Sequence, residues 1–116
     1  MPDQIPILTT NDFPGMRVVR VVGPVYGTSV RSRSIVGNFL GSVRAVFGGK
    51  QSGYVKMIAQ TRDEALAQLA EHAQSLGANA VLATRFDSGE FDAGQGQAMN
   101  EVTAYGTAVV VEPATD

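Results

Sequence analysis

Three observations predict an α+β domain. One long amphipathic helical stretch runs from Ser52 to Leu76, β-branched runs flank it on both sides, and glycines punctuate the joins. The expected architecture is an antiparallel sheet of about three strands. It is packed by the long helix and by a shorter, glycine-containing helix, in a chain that assembles with copies of itself. With 116 residues and 44% apolar content, one domain spanning 1–116 is expected. Residues 1–16 read as an N-terminal arm and residues 112–116 as a frayed tail.

The arm holds Ile5, Ile7 and Leu8 and then a turn-rich run, Asn11-Asp12-Phe13-Pro14-Gly15, so a short extended segment and a turn are expected. Arg17–Val22 is β-branched and reads as the first strand. Gly23-Pro24 breaks or bulges it, because proline donates nothing to a ladder, and Val25–Thr28 continues it. Arg31–Ser34 reads as polar linker.

Ser34–Phe47 has helical spacing, with Ile35, Phe39, Val43 and Val46 in register and Ser34 as N-cap. Gly37 and Gly41 each cost about 1 kcal/mol of helix propensity against alanine. They also leave a smooth groove for another backbone. Two readings stand equal: a packing face for a partner subunit, or a poorly formed helix over the domain's own core. An interfacial membrane helix beside Arg44 and Lys50 is the weaker third. Gly48–Gly53 resembles a phosphate cradle but fails the P-loop pattern, since Arg44 stands for the first glycine and Gln51 for Ser/Thr. It reads as a connector.

On a helical wheel, Tyr54, Ile58, Ala65, Leu69, Ala73 and Leu76 share one side, with Val55, Ala59, Leu66 and Ala70 beside them. Lys56, Gln60, Asp63, Glu64, Glu71 and Gln74 fall opposite. Arg62 lies inside the apolar arc and has to snorkel out. Two starts compete. Thr61-Arg62-Asp63-Glu64 is a capping box, while Ser52 caps a longer helix; the unbroken stripe from Tyr54 favours the long version. Gly77 is placed to end the helix in a left-handed conformation. Ala80–Phe86 then reads as a strand, Asp87–Gln97 as an acidic glycine-rich loop, and Met99–Val111 as a partner strand with a bend at Gly106. The simplest pairing is an antiparallel hairpin.

Charge is lopsided. Residues 13–62 hold eight basic residues and no acidic one, whereas residues 63–116 hold nine acidic residues and one basic, Arg85. The favoured reading is that the halves pair with each other. A basic face for anionic membrane or nucleic acid is the minority reading, and no aromatic-interleaved motif supports nucleic acid. Without cysteine there is no disulfide, thiol nucleophile or thiolate metal site. The first residues lack a secretory pattern and no apolar run reaches a membrane span, so a cytoplasmic protein is expected.

Candidate chemistry is sparse. His72, on the shoulder of the helix, is the one imidazole and the weak metal candidate; Leu76 stands where an i+4 ligand would be. Asp87, Glu90 and Asp92, with Glu101 across the hairpin, offer hard oxygen ligands but no EF-hand order. Arg85 either neutralises Glu101 on the neighbouring strand or binds an anion between subunits, and Tyr105 either packs or stacks a ligand. Arg85, Glu101 and Tyr105 are therefore the candidate ligand-binding residues. No nucleophile–base–orienter set is visible, so no enzyme is expected.

Gly77-Ala78-Asn79-Ala80-Val81 and Tyr105-Gly106-Thr107-Ala108-Val109-Val110 carry a resemblance to the YbjQ-like family. It spans about Thr9 to Glu112 and includes Thr9-Thr10, Gly23 with Gly27, Gly48-Gly49, Tyr54 and Ala65. The resemblance implies a subunit similar to that of dodecin and a homopentamer whose sheets close around a central axis. It also brings a heavy-metal-binding label, with no established activity. That label finds little support in a chain with no cysteine and a single histidine, since soft metals want thiolate or imidazole. A metal ion is the cofactor class left open, and the expected partner is a second copy of the chain.

Overall fold

The computed structural model describes residues 4–32, 52–92, 94 and 98–115. The expected Ser34–Phe47 helix and most of the glycine connector lie outside these residues. Four elements follow in order: β1 (Met16–Ser32), α1 (Ser52–Ser75), β2 (Ala80–Asp92) and β3 (Ala98–Pro113). The strands form one antiparallel sheet in the order β1-β3-β2. The α+β class, the three strands and the long helix are as the sequence predicts.

All three strands are longer than expected. β1 takes in Arg31 and Ser32, read above as linker, and β2 runs on through Asp87–Asp92, read above as loop. The reason is the hairpin ladder: Glu90, Phe91 and Asp92 face Asn100, Met99 and Ala98 on β3, and β1 follows β3 to Met99. Paired backbone groups outweigh the low strand propensity of Asp, Ser and Gly. Glu112, Pro113 and Ala114 are likewise tied down. Glu112 and Pro113 belong to β3, and Ala114 N–H donates to Gly15 O at 3.0 Å.

α1 starts at Ser52, the longer of the two versions. Thr61 Oγ1 donates back to Met57 O at 2.9 Å, so it sits inside the helix rather than capping it. Gly77 takes φ +87°, and the Gly77 and Ala78 amides donate to Gln74 and Ala73 carbonyls to close the helix. The buried stripe is Thr61, Ala65, Leu69, Ala70 and Ala73. The ends of the predicted stripe are not buried: Val55 is 62% exposed and Leu76 is also exposed. Arg62 leaves the apolar arc by placing its guanidinium 5.3 Å from the centre of the Phe86 ring.

The sheet has two unlike faces. One packs α1 through Val25, Val81, Ala104 and Ala108, with Ile5 and Ile7 of the arm alongside. Gly27 is what lets the helix sit so low. A Cβ there would stand under 3.0 Å from Ala65 O and Leu69 N, both backbone atoms. Among the described residues, the other face is covered only near the start of β2, where Leu8, Phe13 and Met16 pack on Ala80, Leu82, Val109 and Val111. The arm thus straddles the outer edge of β2. Ile7 bridges Val81 in parallel, and Val81, Ala83 and Thr84 donate to Pro6, Thr10 and Leu8 carbonyls at 2.8–3.0 Å. The Cα trace measures 59 × 33 × 27 Å, and its radius of gyration is 17.6 Å. A compact domain of this length has a radius near 13 Å.

Candidate functional site

The half of the sheet face that the described residues leave uncovered is the candidate site. Register sets three residues in each row across β1, β3 and β2: Tyr26–Tyr105–Arg85, then Thr28–Thr103–Asp87, then Val30–Glu101–Gly89. Period-2 alternation puts all of them on the face away from α1, because Val25, Gly27 and Ala104 between them are buried under the helix. Tyr26 is 60% exposed and Tyr105 45%, and Val30 and Phe91 are exposed as well. Thr28 and Thr103 hydroxyls lie 3.0 Å apart, and Thr103 donates onward to Glu101 Oε2 at 2.5 Å.

All three candidate ligand-binding residues, Arg85, Glu101 and Tyr105, therefore share one face. They are not arranged as the charge pairing suggested. Arg85 stands opposite Tyr105, while Glu101 stands opposite Gly89, two rows further along. Arg85 Nη1 donates instead to the Thr9 and Thr84 carbonyls, each at 2.8 Å. The Thr84 carbonyl belongs to a bulge between Leu82 and Arg85, where Ala83 takes φ +54°. Tyr26 joins this face without having been singled out in the sequence. Its signal was the alternation with buried Val25 and Gly27, which needs the pairing partner to be read.

His72 sits at the outer edge of β1, at the Tyr26 end of the Tyr26–Tyr105–Arg85 row. Its Nδ1 is 3.2 Å from both the Tyr26 N–H and the Tyr26 carbonyl, and its ring meets the Tyr26 ring edge-on at 5.2 Å. One turn earlier, Gln68 Oε1 accepts from Thr28 N–H at 3.3 Å. The two helix side chains, four residues apart, close the β1 edge over Tyr26–Thr28.

Two arginines of the basic half are paired within the chain. Arg17 pairs with Glu112, and Arg31 Nη2 meets Glu64 Oε1 at 2.6 Å. Ser29 Oγ donates to the other Glu64 oxygen at 2.9 Å. The Ser29 hydroxyl first, and the Arg31 guanidinium second, hold the Glu64 carboxyl below its ordinary value, against a smaller opposing effect of burial.

The donors of one chain do not fit a thiophilic metal. There is no cysteine, the single histidine has Nδ1 on the β1 backbone, and the described residues hold no group of three or more His, Asp or Glu able to surround an ion. Among the described residues one buried hydroxyl, Thr84 Oγ1, has no partner; it lies against Gly106, where a Cβ would come within 3.0 Å of it.

A family model described as "putative heavy-metal-binding" matches residues 5–112. The chain belongs to the YbjQ family. Its similarity to a UPF0145 protein of Acidiphilium cryptum is 68% identity over 110 residues, covering 95% of this chain and 96% of that one. A UPF0145 protein of Bradyrhizobium is 46% identical over 93% of this chain and 94% of its own length. An archaeal one from Thermoplasma volcanium is 44% identical over 91% and 84%. Among solved structures, a DUF74-family protein of unknown function from Pediococcus pentosaceus superposes with TM-score 0.61 at 17% identity, covering 95% of this chain and all of that one. That likeness bears on the fold alone.

The blocks that carry the family resemblance have structural reasons here. Gly77 supplies the positive φ that ends α1. Asn79 clamps the end of the ladder: its side chain donates to Val111 O at 2.9 Å and accepts from Val111 N–H at 2.8 Å. Gly106 lies against the Leu82–Arg85 bulge, 2.8 Å in Cβ terms from Val81 Cγ1. No helix among the described residues is long and apolar enough to cross a membrane.

Proposed function

We propose that this chain is a cytoplasmic, homo-oligomeric binding protein that holds a small ligand or a metal ion where subunits meet. The pentamer implied by the family resemblance is the expected assembly. One observation carries the reading: a sheet face that the described residues leave uncovered bears Tyr26, Tyr105 and Arg85 in one row, with Glu101 two rows away. Exposed rings beside a guanidinium anchored by two carbonyls suit a planar anion. A flat face encloses little by itself, and small-molecule sites bury most of their ligand, so a second copy is needed to close the site. Any metal site would likewise gather oxygen donors such as Asp87 and Glu101 from several copies and favour hard cations.

The test is titration with a panel of aromatic carboxylates and phosphates, and separately with divalent metals. Tyrosine fluorescence is the readout, since the chain has three tyrosines and no tryptophan. Saturable binding that is lost in Arg85→Ala supports the anion reading. A flat response to every ligand and metal would sink both.

The second reading is a scaffold that docks protein or anionic membrane through the basic first half. The ion pairs Arg17–Glu112 and Arg31–Glu64 weigh against it, since both arginines are already engaged. No catalytic role is proposed.

A further inference from the structure

The sheet face away from α1 holds opposite charges that do not neutralise each other. Arg85 and Asp87 are two residues apart on β2 and share that face, so their rows lie about 7 Å apart. A long side chain reaches across such a gap. Yet the ion pairs among the described residues are Arg17–Glu112 and Arg31–Glu64. Arg85 is held through Nη1 by the Thr9 and Thr84 carbonyls, which tie it to the arm. Its Nε and Nη2 donors, and both carboxylate oxygens of Asp87, meet no partner among the described residues.

The hydroxyls beside Asp87 have a fixed sense. Thr103 gives its proton to Glu101 Oε2 at 2.5 Å. A hydroxyl has a single proton, so in the 3.0 Å contact between the two threonines Thr28 donates and Thr103 accepts. Both protons are spent within this group. What the side chains of Thr28, Thr103, Asp87 and Glu101 offer outward is lone pairs alone. Glu101 Oε1 leans toward β2, 3.5 Å from the point where a Gly89 Cβ would stand, so both carboxylates serve the β2 side of the face. The face is therefore polar in one direction. Donors stand at Arg85 with the exposed Tyr105 ring beside them, and acceptors follow one pleat further on.

We propose that the ligand of this face is an aromatic zwitterion. Its anionic end sits on Arg85, its ring lies against Tyr105, and an ammonium about 7 Å from the anion donates to Asp87, Thr103 and Glu101. The proposal rests on the anion reading above and adds the other end of the molecule. A ligand with anions at both ends meets repulsion from the two carboxylates. An ammonium has three donors and no acceptor, which matches a group that only accepts. Its bonds to carboxylates are charge-assisted and stronger than those of a neutral hydroxyl.

Three probes test this on the full, assembled chain in metal-free buffer, with Kd read by ligand-observed NMR. They are para-(aminomethyl)benzoate, which carries an ammonium and a carboxylate across one benzene ring, para-methylbenzoate, which keeps only the anion, and benzylamine, which keeps only the cation. The zwitterion is expected to bind about tenfold more tightly than para-methylbenzoate. Asp87→Asn and Glu101→Gln, two isosteric changes, each bring that ratio toward one. Arg85→Ala weakens the zwitterion and para-methylbenzoate alike. Equal affinity of those two probes for the wild type overturns the ammonium end and leaves the anion reading standing. Benzylamine binding as tightly as the zwitterion overturns the two-ended site, because Arg85 then contributes nothing. A preference for the zwitterion that survives both Asp87→Asn and Glu101→Gln overturns the assignment of the acceptors. Failure of every probe to bind removes the anion reading and this inference with it.

Discussion

Gly27→Ala is the sharpest perturbation of the fold. The new methyl would sit under 3.0 Å from Ala65 O and Leu69 N, and 2.8 Å from Gln68 Cβ. Two of these atoms are helix backbone, so no rotamer change can relieve the clash. Either α1 lifts or β1 bends, and both open the packing around Leu69, Ala65 and Val25, which are fully buried. Overpacking costs about 1–3 kcal/mol, and a clash with rigid backbone belongs at the upper end, near 3 kcal/mol. For a domain of this size that lowers Tm by roughly 10–15 °C. Urea unfolding followed by far-ultraviolet circular dichroism measures it, at matched protein concentration because assembly also contributes. Gly89→Ala is the control: its Cβ meets only Glu101 Oε1, at an ordinary 3.5 Å, and a change within about 0.5 kcal/mol is expected. If Gly27→Ala behaved like Gly89→Ala, the helix could not be seated on β1 as described.

Gly106→Ala is expected to cost less, about 1–2 kcal/mol, because one of its close neighbours, Val81 Cγ1 at 2.8 Å, is a side-chain atom able to give way; a loss above that of Gly27→Ala in the same urea assay would contradict this ranking. Asn79→Ala removes both side-chain bonds to buried Val111 and should cost about 1–3 kcal/mol, read as a lower urea midpoint. Glu64→Gln tests the Ser29–Glu64–Arg31 cluster through pH. A carboxyl whose folded value is lowered contributes stability above its ordinary value of 4.5 and loses it as pH falls through the folded value. The half-exposed pair is worth at most about 1 kcal/mol. Wild type should therefore exceed Glu64→Gln at pH 7, with the gap closing below pH 4.5; a gap independent of pH would mean that the charge on Glu64 is idle.

The long helix was legible because its signals are local: a stripe at helical period, a serine at its start and a terminating glycine. Start and stop fall where the sequence places them, but the burial of the stripe at its two ends differs, for a non-local reason. Val55 and Leu76 fit the stripe, but whether a stripe residue is buried depends on how far the sheet extends beneath it. The hairpin arm Asp87–Asp92 reads as loop by composition and is strand only because β3 runs alongside it. The candidate site divides the same way. Arg85, Glu101 and Tyr105 stood out as types, but their rows depend on the bulge between Leu82 and Arg85, which slides the register. Arg85 reaches a carbonyl of the arm, 76 residues distant in sequence, instead of Glu101. Tyr26 was hidden in a strand broken, on paper, at Gly23-Pro24; in the fold, bulges between Val18 and Arg20 and between Val21 and Gly23 let β1 continue past the break.

The central claim is that the uncovered sheet face is completed by other copies of the chain. Native mass spectrometry of protein purified without chelator tests it most directly, since subunit number and any retained mass are read together. The account predicts a closed oligomer, five subunits by family resemblance, carrying an additional mass in simple proportion to its subunits. A bare oligomer would leave the assembly standing and remove the retained ligand. A monomer across the micromolar range would contradict the account at its root.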